Sequence, residues 1–107
     1  MRTLEEIISE EKRRSKLHPI IHAEIVFIEQ LDYWEKQCLP NEVHISYFRS
    51  HVNDFCRFSE QVLPVERIHF INSFSEMKKE CEKRGYSKEA MDYLDLRIKE
   101  QKAEWNL

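Results

Sequence analysis

Histidine, cysteine and isolated acids are the side chains of this 107-residue chain with which a bundle could bind a metal or attack a substrate. His18 and His22 stand four apart, the spacing that sets two imidazoles one helical turn from each other. His44 and His51 stand seven apart among apolar neighbours, and Glu24 is a carboxylate set close to Ile28 and Leu31. Brought together on facing helices, His44, His51 and Glu24 would form a carboxylate–histidine metal centre. The surrounding sequence argues against that reading. No His-Glu-x-x-His run occurs, His18 precedes Pro19 and so falls outside a helix that starts there, and His22 turns to the polar side. A histidine hydrogen-bonded at the edge of the core, with Glu24 pairing to a buried group, accounts for the same residues. Cys38, Cys56 and Cys81 are odd in number and lack any Cys-x-x-Cys spacing, so they read as free thiols and not as a disulfide framework or zinc knuckle.

Covalent and phosphate chemistry finds still less support. The chain has one glycine, Gly85, whereas a P-loop, a dinucleotide fingerprint and a nucleophile elbow all need glycines at fixed offsets. No catalytic residue, metal or cofactor is expected, and the chain reads as non-enzymatic.

The pattern with the most specific offsets lies within residues 74–98. Cys81, Gly85, Ser87, Met91 and Leu94 match the small residue, turn glycine, cap and two core positions of a helix-turn-helix, which this stretch resembles in part. Arg84 stands where that motif places an apolar residue, and Lys88, Glu89 and Asp92 give the would-be reading helix a mainly acidic start. Phosphates repel such a surface. A helix ended by glycine and followed by a capped helix explains the same residues. The run Lys12-Arg13-Arg14-Ser15-Lys16 comes after Glu5, Glu6, Glu10 and Glu11, and i,i+4 pairing explains it as well as nucleic acid does.

The elements that must position these residues are all helices. Pro19, Pro40, Pro64 and Gly85 cut the chain into five segments. Thr3 and Glu6 have capping-box spacing and basic residues close the first segment. Pro19 opens a second helix that runs to about Cys38, and Asn41 caps a third that runs to about Val62. Pro64 opens a fourth that ends at Gly85, and Ser87 caps a fifth that reaches about Trp105. Strand alternation and hairpin dipeptides are absent. The expected fold is all-α, a bundle of four to five helices with short loops, in one domain over 1–107, with 1–17 a loosely docked N-terminal helix. Its apolar stripe is only Leu4, Ile7 and Ile8.

At 100° per residue, Ile20, Ala23, Phe27, Leu31, Trp34 and Cys38 share one face and mark the central core helix. In the fourth helix Ile68, Ile71, Phe74, Met77 and Cys81 form the stripe, which leaves Phe70 outside it. In the fifth, Met91, Leu94, Ile98 and Trp105 face the core while Tyr93, Leu96 and Leu107 cluster nearly opposite. Tyr47 and Phe58 widen the apolar arc of the third. Tyr93, Leu96, Leu107, Tyr47, Phe58 and Phe70 are therefore the candidate partner-binding residues.

With 41% hydrophobic and 35% charged residues, net charge −3, and an apolar run no longer than Ile25–Ile28, the chain reads as compact and free of membrane spans. Its charged, amphipathic start is unlike a secretory leader, which places it in the cytoplasm. The expected role is a regulator, such as an inhibitor, adaptor, immunity factor or small subunit, that covers part of another protein with an apolar helix face, with homodimerisation a variant of the same surface. A dimeric transcription regulator using 74–98 is the second reading, with nucleic acid the less favoured partner, and a metal-binding bundle the third.

Overall fold

The computed structural model describes residues 19–107. Residues 1–18, and with them the expected first helix, the Lys12–Lys16 run and His18, lie outside the described residues. The chain from Pro19 onward forms four α-helices: α1 (Pro19–Glu35), α2 (Ile45–Arg57), α3 (Arg67–Arg84) and α4 (Lys88–Trp105). The fold is the all-α bundle expected from the sequence, and among the described residues there is no strand.

Several boundaries differ from their sequence expectation: α1 stops at Glu35 before about Cys38, α3 starts at Arg67 after a 3-10 turn at Pro64–Glu66, and both ends of α2 move. Asn41 does not cap a helix; it sits inside a 3-10 turn, Pro40–Glu42, that Glu42 closes by accepting the Leu39 N–H at 2.9 Å. Val43 is then extended (φ −63°, ψ 124°), so the helix restarts one residue later with His44 as its cap. The same segment stops at Arg57 and tightens into a second 3-10 turn, Phe58–Gln61, before Val62. Gly85 ends α3 as expected, in the left-handed region (φ 93°) that glycine enters without a Cβ penalty. Its N–H reaches the carbonyls of Cys81 and Glu82, and the Tyr86 N–H returns to Cys81 at 3.1 Å, a Schellman ending. Ser87 then accepts the Ala90 N–H at 3.2 Å and starts α4.

Side-chain contacts give the directions of the helices. Phe27 meets Phe55 and Trp34 meets Phe48, so α1 and α2 are antiparallel. Phe70 meets Trp105 and Lys78 pairs with Asp95, so α3 and α4 form a second antiparallel hairpin about Gly85. Between the hairpins, Glu24 pairs with Ser73 and Asp32 with Arg84, which makes α1 and α3 parallel neighbours. Asn53 bonds Tyr93, which sets α2 beside α4 in the same sense. The link from α2 to α3 therefore crosses the end of the bundle diagonally. That end holds the starts of α1 and α3 and the finishes of α2 and α4.

The core corrects the reading of α3. Phe70 is fully buried, stacked on Phe55 at 5.2 Å and edge-on to Trp105 at 5.5 Å, so it is no part of a partner surface. Ile68, expected in the core stripe, is 49% exposed. The physical reason is that α3 packs between α1 and α4 at once, which rotates and widens its buried arc to Phe70, Ile71, Ser73, Phe74, Met77 and Cys81. Ala23, Phe27 and Leu31 of α1 are buried as expected, as are Leu94 and Ile98 of α4.

Candidate functional site

The residues singled out as metal ligands are held by three separate sets of partners. His44 is exposed at the start of α2, where its Nδ1 accepts the Ser46 N–H at 3.1 Å, a capping role made possible by the extended backbone of the residue itself. His51 is buried two turns on. Its Nε2–H donates to the Phe27 carbonyl at 3.0 Å, and its ring stacks on Phe27 at 4.6 Å with Trp34 edge-on at 5.5 Å. Burial pushes its pKa below the ordinary 6.5, against opposing effects of the Phe27 bond and the Asp54 charge. Glu24 points to α3, where it accepts the Ser73 hydroxyl at 2.6 Å. Among the described residues no three His, Cys, Asp or Glu side chains gather as a metal-holding group.

Residues 74–98 lie within the antiparallel α3–α4 hairpin, whose contacts run from the Gly85 turn to Phe70 and Trp105. A helix-turn-helix crosses far more steeply. Arg84 fills its motif position by a different device. Its guanidinium donates to Asp32 at 2.7 Å and Glu35 at 2.9 Å on α1, and to Glu80 at 2.9 Å on α3. Burial opposes the charge, but these three carboxylates outweigh it and raise the pKa further above the ordinary arginine value. Tyr86, buried beside it, donates to Glu35 at 3.0 Å. This cluster fastens the end of α3 to the end of α1.

The candidate partner residues do not form one patch. Tyr93 is half-buried, bonded to Asn53 and lying under Arg49. Phe58 is half-buried against the core and the His22 ring, 5.4 Å away. Tyr47, Leu96 and Leu107 are exposed. Tyr47 lies at the start of α2 and Leu107 just past the finish of α4, which places them at opposite ends of the bundle. Leu96 sits about half a turn from Leu94 and Ile98, the buried residues of α4, and stands alone on its outer side.

A concentration of apolar surface appears instead at the crossed end. Ile20 and Ile21 from the start of α1, with Val65, Glu66 and His69 from the start of α3 and the turn before it, line an open concavity of about 390 Å³. Val65 is 80% exposed, and Leu63 and Ile68 on the same stretch are 60% and 49% exposed. The cause is local. Leu63 is extended before Pro64 (φ −68°, ψ 150°), and Pro64–Glu66 is a single 3-10 turn, too short to roll Val65 into the core. Ile21 and Ile25, one turn apart on α1, are half-buried.

Sequence reasoning missed this shelf because its members come from two segments about 45 residues apart. One signal was present: Val62-Leu63-Pro64-Val65 is apolar where a connection between helices is ordinarily polar. A second was Glu66-x-x-His69, a pair spaced to share one helical side, which here flanks the concavity. No helix described is long and apolar enough to cross a membrane. The chain matches no protein-family model, and no match to it is found among curated proteins or solved structures.

Proposed function

We propose that this chain is a non-enzymatic protein-binding regulator that occludes part of another protein with the apolar shelf at the crossed end of its bundle. The observation that carries the reading is Val65, 80% exposed beside Ile20 and Ile21 while the core is filled without it. Exposed apolar side chains grouped around a concavity mark interaction sites more than scattered ones do. Covering Val65 at about 25 cal/mol per Å², with on the order of 100 Å² exposed, supplies roughly 2.5 kcal/mol of gross driving force before the costs of association, and Leu63 and Ile68 on the same stretch add to it where a partner reaches them. Glu66 and His69 at the rim give the site a polar edge that fixes the register of an apolar insert.

Affinity capture from the native host tests this, with wild type and Val65→Asp as baits. The reading requires a protein retained by wild type and lost with Val65→Asp, while the urea midpoint of the variant stays within about 0.5 M of wild type. Identical capture by both baits would remove the shelf from the proposal. Tyr47→Ala and Leu96→Ala serve as parallel baits, because their side chains project from other parts of the surface.

A further inference from the structure

We infer that the shelf docks on the shelf of a second copy of this chain, with the starts of the two α3 helices antiparallel about a two-fold axis, so that the second copy and the partner protein exclude one another. The inference rests on the shelf being a protein-docking surface. Self-complementarity is its first ground. In a two-fold contact residue i of one copy meets residue j of the other and the reverse pair forms as well, so a face fits itself when it carries both a protrusion and a recess, and both an acceptor and a donor. Val65, the most exposed large apolar side chain among the described residues, stands beside a concavity walled by Ile20 and Ile21. Glu66 and His69, three residues apart, flank the same concavity. Antiparallel pairing lets the Glu66 carboxylate of each copy accept from the His69 imidazole of the other, on both sides of the axis, while each Val65 enters the opposite recess. The two carboxylates then also lie between the positive starts of two α3 helices.

Area is the second ground. A stable homodimer face covers about 800 Å² per copy, of which about 65%, or roughly 500 Å², is apolar. A disc of that size has a radius of about 16 Å. Leu63 and Ile68, both exposed, lie within three residues of Val65, a reach of at most about 11 Å. Leu107, also exposed, follows Trp105, whose ring lies under Arg67 at the start of α3. With on the order of 100 Å² from each of Leu63, Val65, Ile68 and Leu107, and about half that from each of Ile20 and Ile21, the crossed end offers roughly 500 Å² of apolar surface, the amount such a face contains.

Sedimentation equilibrium of the full chain from about 10 µM to about 500 µM tests the pairing. Wild type is expected to rise from the mass of one chain towards that of two, and Val65→Asp to stay at one with its urea midpoint unchanged. Glu66→Lys and His69→Glu, exposed substitutions that leave the core intact, are each expected to weaken association several-fold, because each removes the complementary contact on both sides of the axis. Mixed in equal amounts, the two variants are expected to pair with one another, since the mixture restores an opposite-charge or hydrogen-bonded contact on each side. Wild type still monomeric at the highest concentration would overturn the self-pairing, even if Val65→Asp abolishes partner capture, and so would a dimer that survives Val65→Asp. A mixture no more associated than its two components would overturn the antiparallel contact. Dimerisation lost with Val65→Asp, together with partner capture indifferent to it, would overturn the partner site and leave the self-pairing standing.

Discussion

Truncating Phe70 separates packing from periodicity, because helical phase alone places this ring on the surface while the structure places it at the junction of three elements. The ring is fully buried, stacked on Phe55 at 5.2 Å, and edge-on to Trp105 at 5.5 Å and Phe74 at 6.1 Å. Phe70→Ala forfeits about 2–3 kcal/mol of transfer free energy. It also removes aromatic contacts of about 0.5–1.5 kcal/mol each, in part replaced by relaxation around the cavity. The expected total is about 3–5 kcal/mol, against at most about 0.5 kcal/mol for truncating an exposed residue. In urea unfolding followed by far-ultraviolet circular dichroism, a slope of about 1.5 kcal/mol per M converts this into a midpoint lowered by about 2–3 M. Should Phe70→Ala be too unstable to fold, Phe70→Leu at about 1–1.5 kcal/mol tests the same packing. A midpoint for Phe70→Ala within about 0.3 M of wild type would refute the placement of this ring in the core.

Arg84→Ala removes the cation shared by Asp32, Glu35 and Glu80 and is expected to cost about 1.5–2.5 kcal/mol, between exposed and buried pairs, with the loss reduced when the pH is lowered enough to protonate the carboxylates. For His51 the folded pKa is lowered, so its contribution is fully present above the unfolded value near 6.5 and is lost as pH falls below it; thermal melts between pH 7.5 and 5 should lose stability there, and His51→Gln should flatten the slope. Gly85→Ala meets no atom within 4 Å of the added Cβ but keeps a φ of 93°, so calorimetry should show a loss of about 1–2 kcal/mol from conformation alone, with Gly85→Asn losing less.

Much of the fold was legible because it is local. Gly85 and Ser87 act on their own backbone, and the structure ends α3 and starts α4 at these residues. The 41–62 segment was misread where two turns competed with a helix: Pro40 favours both, and Val43 is extended because His44, not Asn41, caps α2. Phe70 and Ile68 exchanged places because a stripe drawn for one partner cannot show that α3 has two neighbours. Of the candidate surface, Leu96, Tyr47 and Leu107 are exposed as read, but exposure of single residues does not make a site. The shelf arises from the diagonal link between hairpins, a property of topology that no helical wheel contains.

The parallel arrangement of α1 and α3 has an electrostatic consequence. Peptide dipoles leave roughly half a negative charge at the C-terminal end of each helix, and here two such ends lie side by side. The last turn of α1 holds no basic residue of its own, and Asp32 and Glu35 near it add to the negative potential. The last turn of α3 holds Lys83 and Arg84, and Arg84 reaches across to both acids of α1. One guanidinium thus serves as the C-terminal cation of two helices. In an antiparallel pair each end would have faced the positive pole of its neighbour, and α1 would not have needed to borrow a charge.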